Sequence, residues 1–204
     1  MARISTAFRV TDRLRRARET RLGNLAVLAV VAVLVTAAAY AVDHRSAVQE
    51  SGVTAVKLTG EAGTAPVVGR PAPDFTASTV DGTTISLAGL RGHPVWLTFG
   101  ASWCAACRAE APDIQAASER ARAQGATVVE VFISEDAATV RSYGQRVGLT
   151  YPKVADPQTR IASQYRVLGI PAHFFIDSSG VLRTVKAGSL TGQEMDANVR
   201  AAGA

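Results

Sequence analysis

The chain is poor in cysteine: Cys104 and Cys107 are the only two in 204 residues. Two thiols cannot close a structural zinc site, which takes four ligands around the metal. A pair only two residues apart encloses too short a loop to stabilise a fold much by restricting the unfolded chain. Internal repeats are absent, and so is any charge imbalance beyond residue 21. The segment 43–70 balances Arg45, Lys57 and Arg70 against Asp43, Glu50 and Glu61, and residues 71–204 are likewise balanced. The net charge of +5 therefore resides in the first 21 residues, which makes it a topology signal rather than a nucleic-acid footprint.

What is present begins with that arm. Residues 1–21 carry Arg3, Arg9, Arg13, Arg15, Arg16, Arg18 and Arg21 against Asp12 and Glu19. Residues 22–42 follow as an uncharged run rich in Leu, Val and Ala, matching the ~20 residues of a bilayer-spanning helix. Arginines on the N-terminal flank hold that side in the cytoplasm and place everything after Val42 outside it. The sequence Ala39-Tyr40-Ala41 also has the small-x-small pattern of a signal-peptidase site, so anchor and cleaved signal peptide both stand. Either outcome puts the remainder where a disulfide persists. Residues 43–70 mix Ala, Gly, Thr, Val, Ser and Glu without a sustained period and read as a flexible tether, spanning ~30 Å as a coil.

Residues 71–204 have the size of one ordinary domain. Asp81-Gly82 between β-branched residues predicts a hairpin over 79–87. The apolar run 94–99 predicts a buried strand, Gly100-Ala101-Ser102 a turn, and the Ala-rich stretch 107–120 a helix that Pro112 should kink. Further on, the pattern predicts a strand over 127–134, a helix over 136–147 ended by Gly148, and a short helix over 156–165. A second hairpin over 174–186 and a closing helix over 192–202 complete an α/β domain with a mixed central sheet.

Strand, tight turn and helix place Cys104 at a helix N-terminus. Unpaired N–H groups and the positive end of the helix dipole there favour thiolate over thiol, lowering the pKa from ~8.5. Cys107, one turn later, is placed to attack a mixed disulfide formed on Cys104. The expectation is a reversible dithiol, with one sulfur an exposed, acidified nucleophile and its neighbour beneath it.

Residues 71–204 resemble the TlpA/ResA branch of the thioredoxin superfamily. The matching pieces are Pro71-Ala72-Pro73-Asp74-Phe75, the Asp81-Gly82 hairpin ending in Leu87 and Leu90, Trp103–Cys107, Pro112, and Gly169-Ile170-Pro171 followed by Phe174–Asp177 and Gly180. The resemblance implies a thioredoxin-like fold and thiol–disulfide oxidoreductase activity, with Cys104 and Cys107 catalytic and no cofactor or metal. Substrate contacts are implied for Trp103, as a cover over the disulfide, and for Ile170 and Pro171. A cis Ile170-Pro171 bond would face the sulfurs, and the Ile170 backbone could pair with an extended substrate segment. The implied partners are protein thiols and disulfides, such as apocytochrome c or misoxidised secreted proteins, and a membrane electron donor.

Three positions depart from the family pattern. Ala106 replaces a common proline, and Ala105-Ala106 offers the thiolate no donor, which points to a reductant. Thr98 stands where many thioredoxins have a buried acid, so deprotonation of Cys107 relies on water or another group, for which Glu110 and Glu130 are the candidates. His173 stands where Thr is common, and shares a strand face with Pro171 from which it could raise the thiolate fraction. His93 and His44 have no expected role. Two other activities compete. A thiol peroxidase would want a hydroxyl three residues before Cys104 and a proline seven before, where Ala101 and Leu97 stand. A copper-binding module would use both thiolates with His173, although such relatives usually space their cysteines by three.

Overall fold

The computed structural model describes residues 25, 27–39, 52–60 and 63–203. Residues 27–39 are helical (α1), but no helix among the described residues is long and apolar enough to cross a membrane. The basic arm and both ends of the 22–42 segment lie outside the described residues.

The second unit, from residue 51 onward, is built on a five-stranded sheet ordered β6-β5-β4-β8-β9. Its strands are β4 (Val95–Gly100), β5 (Thr127–Ile133), β6 (Lys153–Asp156), β8 (Ala172–Ile176) and β9 (Leu182–Ala187). β4 runs parallel to β5 and antiparallel to β8, giving the mixed sheet. β4 is buried along its whole length, as a central strand covered on both faces must be. Leu97, Phe99, Val129, Val131, Phe174 and Ile176 face one core, closed by α4 (Arg160–Gln164) and the hairpin of β2 (Thr76–Ser78) and β3 (Thr84–Ser86). Trp96, Val128, Phe132 and Phe175 face the other, against α2 (Ala105–Ala123), α3 (Ala137–Val147) and α5 (Gly192–Gly203).

α2 continues as one element through Pro112, which removes the hydrogen bond to the Arg108 carbonyl. α3 starts at an Asp136 cap, whose carboxylate accepts from Thr139 N at 2.8 Å. It ends at Gly148, whose φ of 75° admits glycine readily.

Two expectations need correction. The helix expected over 156–165 is only α4; residues 153–156 form an edge strand instead. Asp156 ends that strand, and its carboxylate accepts from Arg160 N and Ala162 N at 2.7 and 2.9 Å, fixing the start of α4. The second correction concerns the tether. Residues 52–60 alternate inward and outward, with Thr54, Val56 and Leu58 inward. Val56 and Leu58 pack on the core, and β1 (Thr54–Ala55) pairs antiparallel with β7 (Gly169–Ile170). A strand period was present there, but a threonine on the inward face disguised it.

Candidate active site

Cys104 is the N-cap of α2 and its Sγ accepts from Cys107 N at 3.1 Å. The two cysteines are disulfide-bonded, with Cα atoms 5.3 Å apart. The turn before them is held from outside: Glu135 accepts from Ser102 N at 2.8 Å and from the Ser102 hydroxyl, while Arg108 donates to the Ser102 carbonyl at 3.0 Å. These contacts fix where Cys104 meets the helix start, and the sequence pattern did not single out Glu135.

The peptide bond Ile170-Pro171 is cis, as the resemblance implied. Trp103 is 45 % exposed beside Cys104, while Ile170 and Pro171 are buried. The expected exposure of the nucleophile is not met, since Cys104 is only 1 % exposed. β1 lies alongside, with the Thr54 hydroxyl 3.8 Å from Cys104 Sγ.

Beneath the dithiol the sheet carries a row of polar side chains. Strand register sets Lys153, Glu130, Thr98 and His173 side by side across β6, β5, β4 and β8. All four are buried, and alternation along the strands turns Glu130, Thr98 and His173 towards the α2 face. Glu130 accepts from the Tyr151 hydroxyl at 2.6 Å. Burial pushes its carboxyl up to about 7, against the Tyr151 hydrogen bond and the nearby Lys153 charge. A methyl group on Gly100 would lie 2.7 Å from Glu130 Oε1 and 3.7 Å from Cys107 Sγ. Gly100 thus leaves open the small gap between the carboxylate and the second sulfur.

Glu110, one turn after Cys107, accepts from Leu190 N at 2.7 Å, while its Oε2 is buried without a partner among the described residues. Burial raises its carboxyl to about 7, opposed by the Leu190 N–H and reinforced by Glu130 and Asp113. Both carboxyl groups are therefore poised to take or hold a proton near neutral pH.

His173, the residue expected to raise the thiolate fraction, makes its hydrogen bonds elsewhere in this disulfide-bonded form. The Trp96 indole donates to Nδ1 at 3.3 Å, and Nδ1 lies 3.0 Å from the Thr98 hydroxyl. An indole N–H can only donate, so Nδ1 is the acceptor and the proton sits on Nε2, facing Gly188 O at 3.2 Å and Glu110 Oε1 at 3.4 Å. Burial lowers its pKa to about 4, leaving it neutral, and neither sulfur is among its hydrogen-bond partners. Thr98 correspondingly spends its hydroxyl on His173.

The sequence pattern of the AhpC/TSA family matches residues 68–185. The chain belongs to the AhpC/TSA family. Within the AhpC/TSA family it is similar to the thiol-disulfide oxidoreductase ResA of Geobacillus thermodenitrificans, 33% identical over 132 residues covering 65% of this chain and 76% of that one. It is also similar to the thioredoxin-like protein YneN of Bacillus subtilis, 32% identical over 63% of this chain and 76% of that one. Among solved structures, a thioredoxin-family thiol:disulfide interchange protein from Chlorobium tepidum matches with a TM-score of 0.61 and 31% identity, over 68% of this chain and 99% of that one. A secreted Mycobacterium tuberculosis disulfide oxidoreductase homologous to Escherichia coli DsbE matches with a TM-score of 0.56 and 28% identity, over 62% and 95%. This AhpC/TSA member is a thiol-disulfide oxidoreductase of the ResA type, and Cys104 and Cys107 form its redox pair.

Proposed function

We propose that the chain is a membrane-anchored reductase acting on protein disulfides outside the cytoplasm. The observation that carries the direction is the surroundings of the sulfurs. Between them stand only Ala105 and Ala106, whose side chains donate no hydrogen bond, and two carboxyl groups lie buried behind Cys107. Neither alanine side chain can favour the thiolate, and the buried carboxyl groups, once ionised, oppose a second negative charge. A dithiol so placed is held weakly in its reduced form and passes electrons on readily.

In the reduced protein the Cys104 thiolate attacks one sulfur of a client disulfide. The client's other sulfur leaves as a thiolate and takes a proton from solvent. Glu130 accepts the Cys107 proton across the gap at Gly100, and the Cys107 thiolate attacks Cys104 Sγ. The client's second thiolate departs, two electrons have passed to it, and Cys104–Cys107 is again a disulfide. A dithiol donor in the membrane reverses the last state. The arginine-flanked apolar run 22–42 supports an anchor with the domain outside, and the secreted Mycobacterium tuberculosis relative is in keeping with that side. Apocytochrome c, whose cysteine pair must be reduced, is a client class this chemistry suits.

The test is the midpoint potential of the full chain in detergent, equilibrated against glutathione or dithiothreitol. A value well below about −200 mV is expected, and one near the −120 mV of the oxidant DsbA overturns the assigned direction.

A further inference from the structure

Ile170 offers the backbone edge on which an extended client segment would add as a strand, yet that edge is already taken. Thr54 lies opposite Ile170, Ala55 opposite Gly169, and Val56 N donates to the Leu168 carbonyl at 3.0 Å. The register brings the Thr54 hydroxyl to 3.8 Å from Cys104 Sγ. Val53 packs so closely over Gly169 that a methyl group there would collide with Val53 Cγ1. A mixed disulfide needs the client sulfur ~2 Å from Cys104 Sγ, in space next to the Thr54 side chain. Client and β1 cannot occupy the site together.

We infer that residues 53–58 are an intramolecular cap that occupies the client groove and must swing away before Cys104 can react with a protein disulfide. This rests on the oxidoreductase role proposed above. The segment is built to pivot. Its far end is tied to α4 and the turn before it: Thr59 N donates to Thr159 Oγ1 at 2.8 Å and Thr59 Oγ1 to Gln158 O at 2.9 Å. Gly60 presses against Ser163, where a methyl group would come within 2.9 Å of its hydroxyl oxygen. Nearer the sulfurs, the cap is held by a two-residue pairing, the Val56 N–H to the Leu168 carbonyl, Val53 over Gly169, and the partly buried Val56 and Leu58. Few buried contacts and an edge pairing are the marks of a segment that opens without global unfolding. The trace of the cap also indicates the client's fit. An extended segment would run antiparallel to 169–170, with its cysteine where Thr54 stands and the residue before it over Gly169.

The test uses the reduced full chain in detergent and a synthetic peptide disulfide, with the exchange rate at Cys104 followed by stopped flow. Thr54→Pro removes a backbone N–H from the edge without touching the five-stranded sheet, and should speed exchange at least tenfold. Excess free peptide of sequence 52–60 should slow that variant again. Val56→Asp with Leu58→Asp should act in the same direction, with far-UV dichroism reporting the fold. In a separate Thr54→Cys chain carrying Cys107→Ser, oxidised glutathione should cap Cys104 and the introduced thiol should displace it, giving an internal cross-link seen by mass spectrometry. Rates unchanged in both cap variants, or no cross-link, overturn the cap while the redox role stands. Failure of every variant and the parent chain to exchange with dithiothreitol overturns both.

Discussion

Replacing Glu130 by glutamine tests whether a buried carboxyl beside Cys107 titrates near neutral pH. In the folded chain its pKa is about 7 against 4.5 for an ordinary glutamate, with burial the first cause. The folded state therefore binds more protons than the unfolded chain between these values, so its contribution to stability falls as pH rises through that window. The full penalty at pH 8 is about 3 kcal/mol, and at pH 5 it is below about 1 kcal/mol. Glutamine still accepts from the Tyr151 hydroxyl, but it brings an amide N–H₂ to the gap at Gly100, a cost that does not vary with pH. The decisive quantity is therefore the change in the difference between parent and variant. Urea unfolding of both disulfide-bonded proteins at pH 5 and pH 8 should show the variant gaining about 2.5 kcal/mol relative to the parent over that interval. The same substitution removes the proton acceptor for Cys107 and should slow release of a mixed disulfide by roughly 10²-fold or more at pH 7. Parallel stability curves would refute the buried-carboxyl argument, and unchanged release kinetics would refute the proton transfer.

Gly100→Ala puts a methyl group 2.7 Å from Glu130 Oε1, so it should disturb the gap and slow mixed-disulfide release, measured by quenched-flow alkylation, while Cys104 still forms the adduct. His173→Ala should leave the dithiol potential unchanged, since the ring makes no hydrogen bond to either sulfur, but lower the unfolding free energy by roughly 2–4 kcal/mol by stranding the Trp96 indole and the Gly188 carbonyl. Because the His173 pKa is depressed to about 4, its stabilising contribution is complete above about pH 6.5 and lost as pH falls towards 4, a slope opposite to that of Glu130. Cys107→Ser should trap a covalent client adduct on Cys104 that mass spectrometry detects, whereas Cys104→Ser should trap none.

The dithiol was legible because its signals are local: an apolar run, a small-residue turn and an Ala-rich helix bracket Cys104 and Cys107 within a short stretch. The cis bond before Pro171 was legible only through resemblance, since a turn proline reads identically in one sequence. The acidic residues behind Cys107 were visible as candidates, but their burial depends on strand register, which no short window contains. Thr98, Glu130 and His173 come together because three strands align across the sheet. β6 was missed because it is four residues long, lies just after Pro152 and is followed by Pro157. The strand near Thr54 was missed because its partner lies more than a hundred residues away, at Ile170. Exposure of Cys104 was misjudged for the same reason: what shields a residue is set by tertiary partners.

The polar row is expensive, and that expense bears on its purpose. Apolar side chains of similar size at Glu130, Thr98 and His173 would pack between Trp96, Phe132 and Phe175 without desolvating a carboxyl group, and such replacements are often neutral or stabilising. The row also does little to define the strands, because β4 and, beyond Thr127, β5 are buried and already held by apolar residues on both faces. What it supplies is a proton site whose pKa matches neutral pH at the one place where Gly100 opens a path to Cys107. The neutral imidazole of His173 fits the same purpose: it braces Thr98 and Glu110 without adding a positive charge that would draw Glu130 back to an ordinary carboxylate. A cation there would stabilise the thiolate and shift the pair towards an oxidant. Keeping His173 neutral leaves Lys153 as the one cation of the row and agrees with the proposed reducing direction, and the fold sustains the cost of the row through the apolar layers on either side.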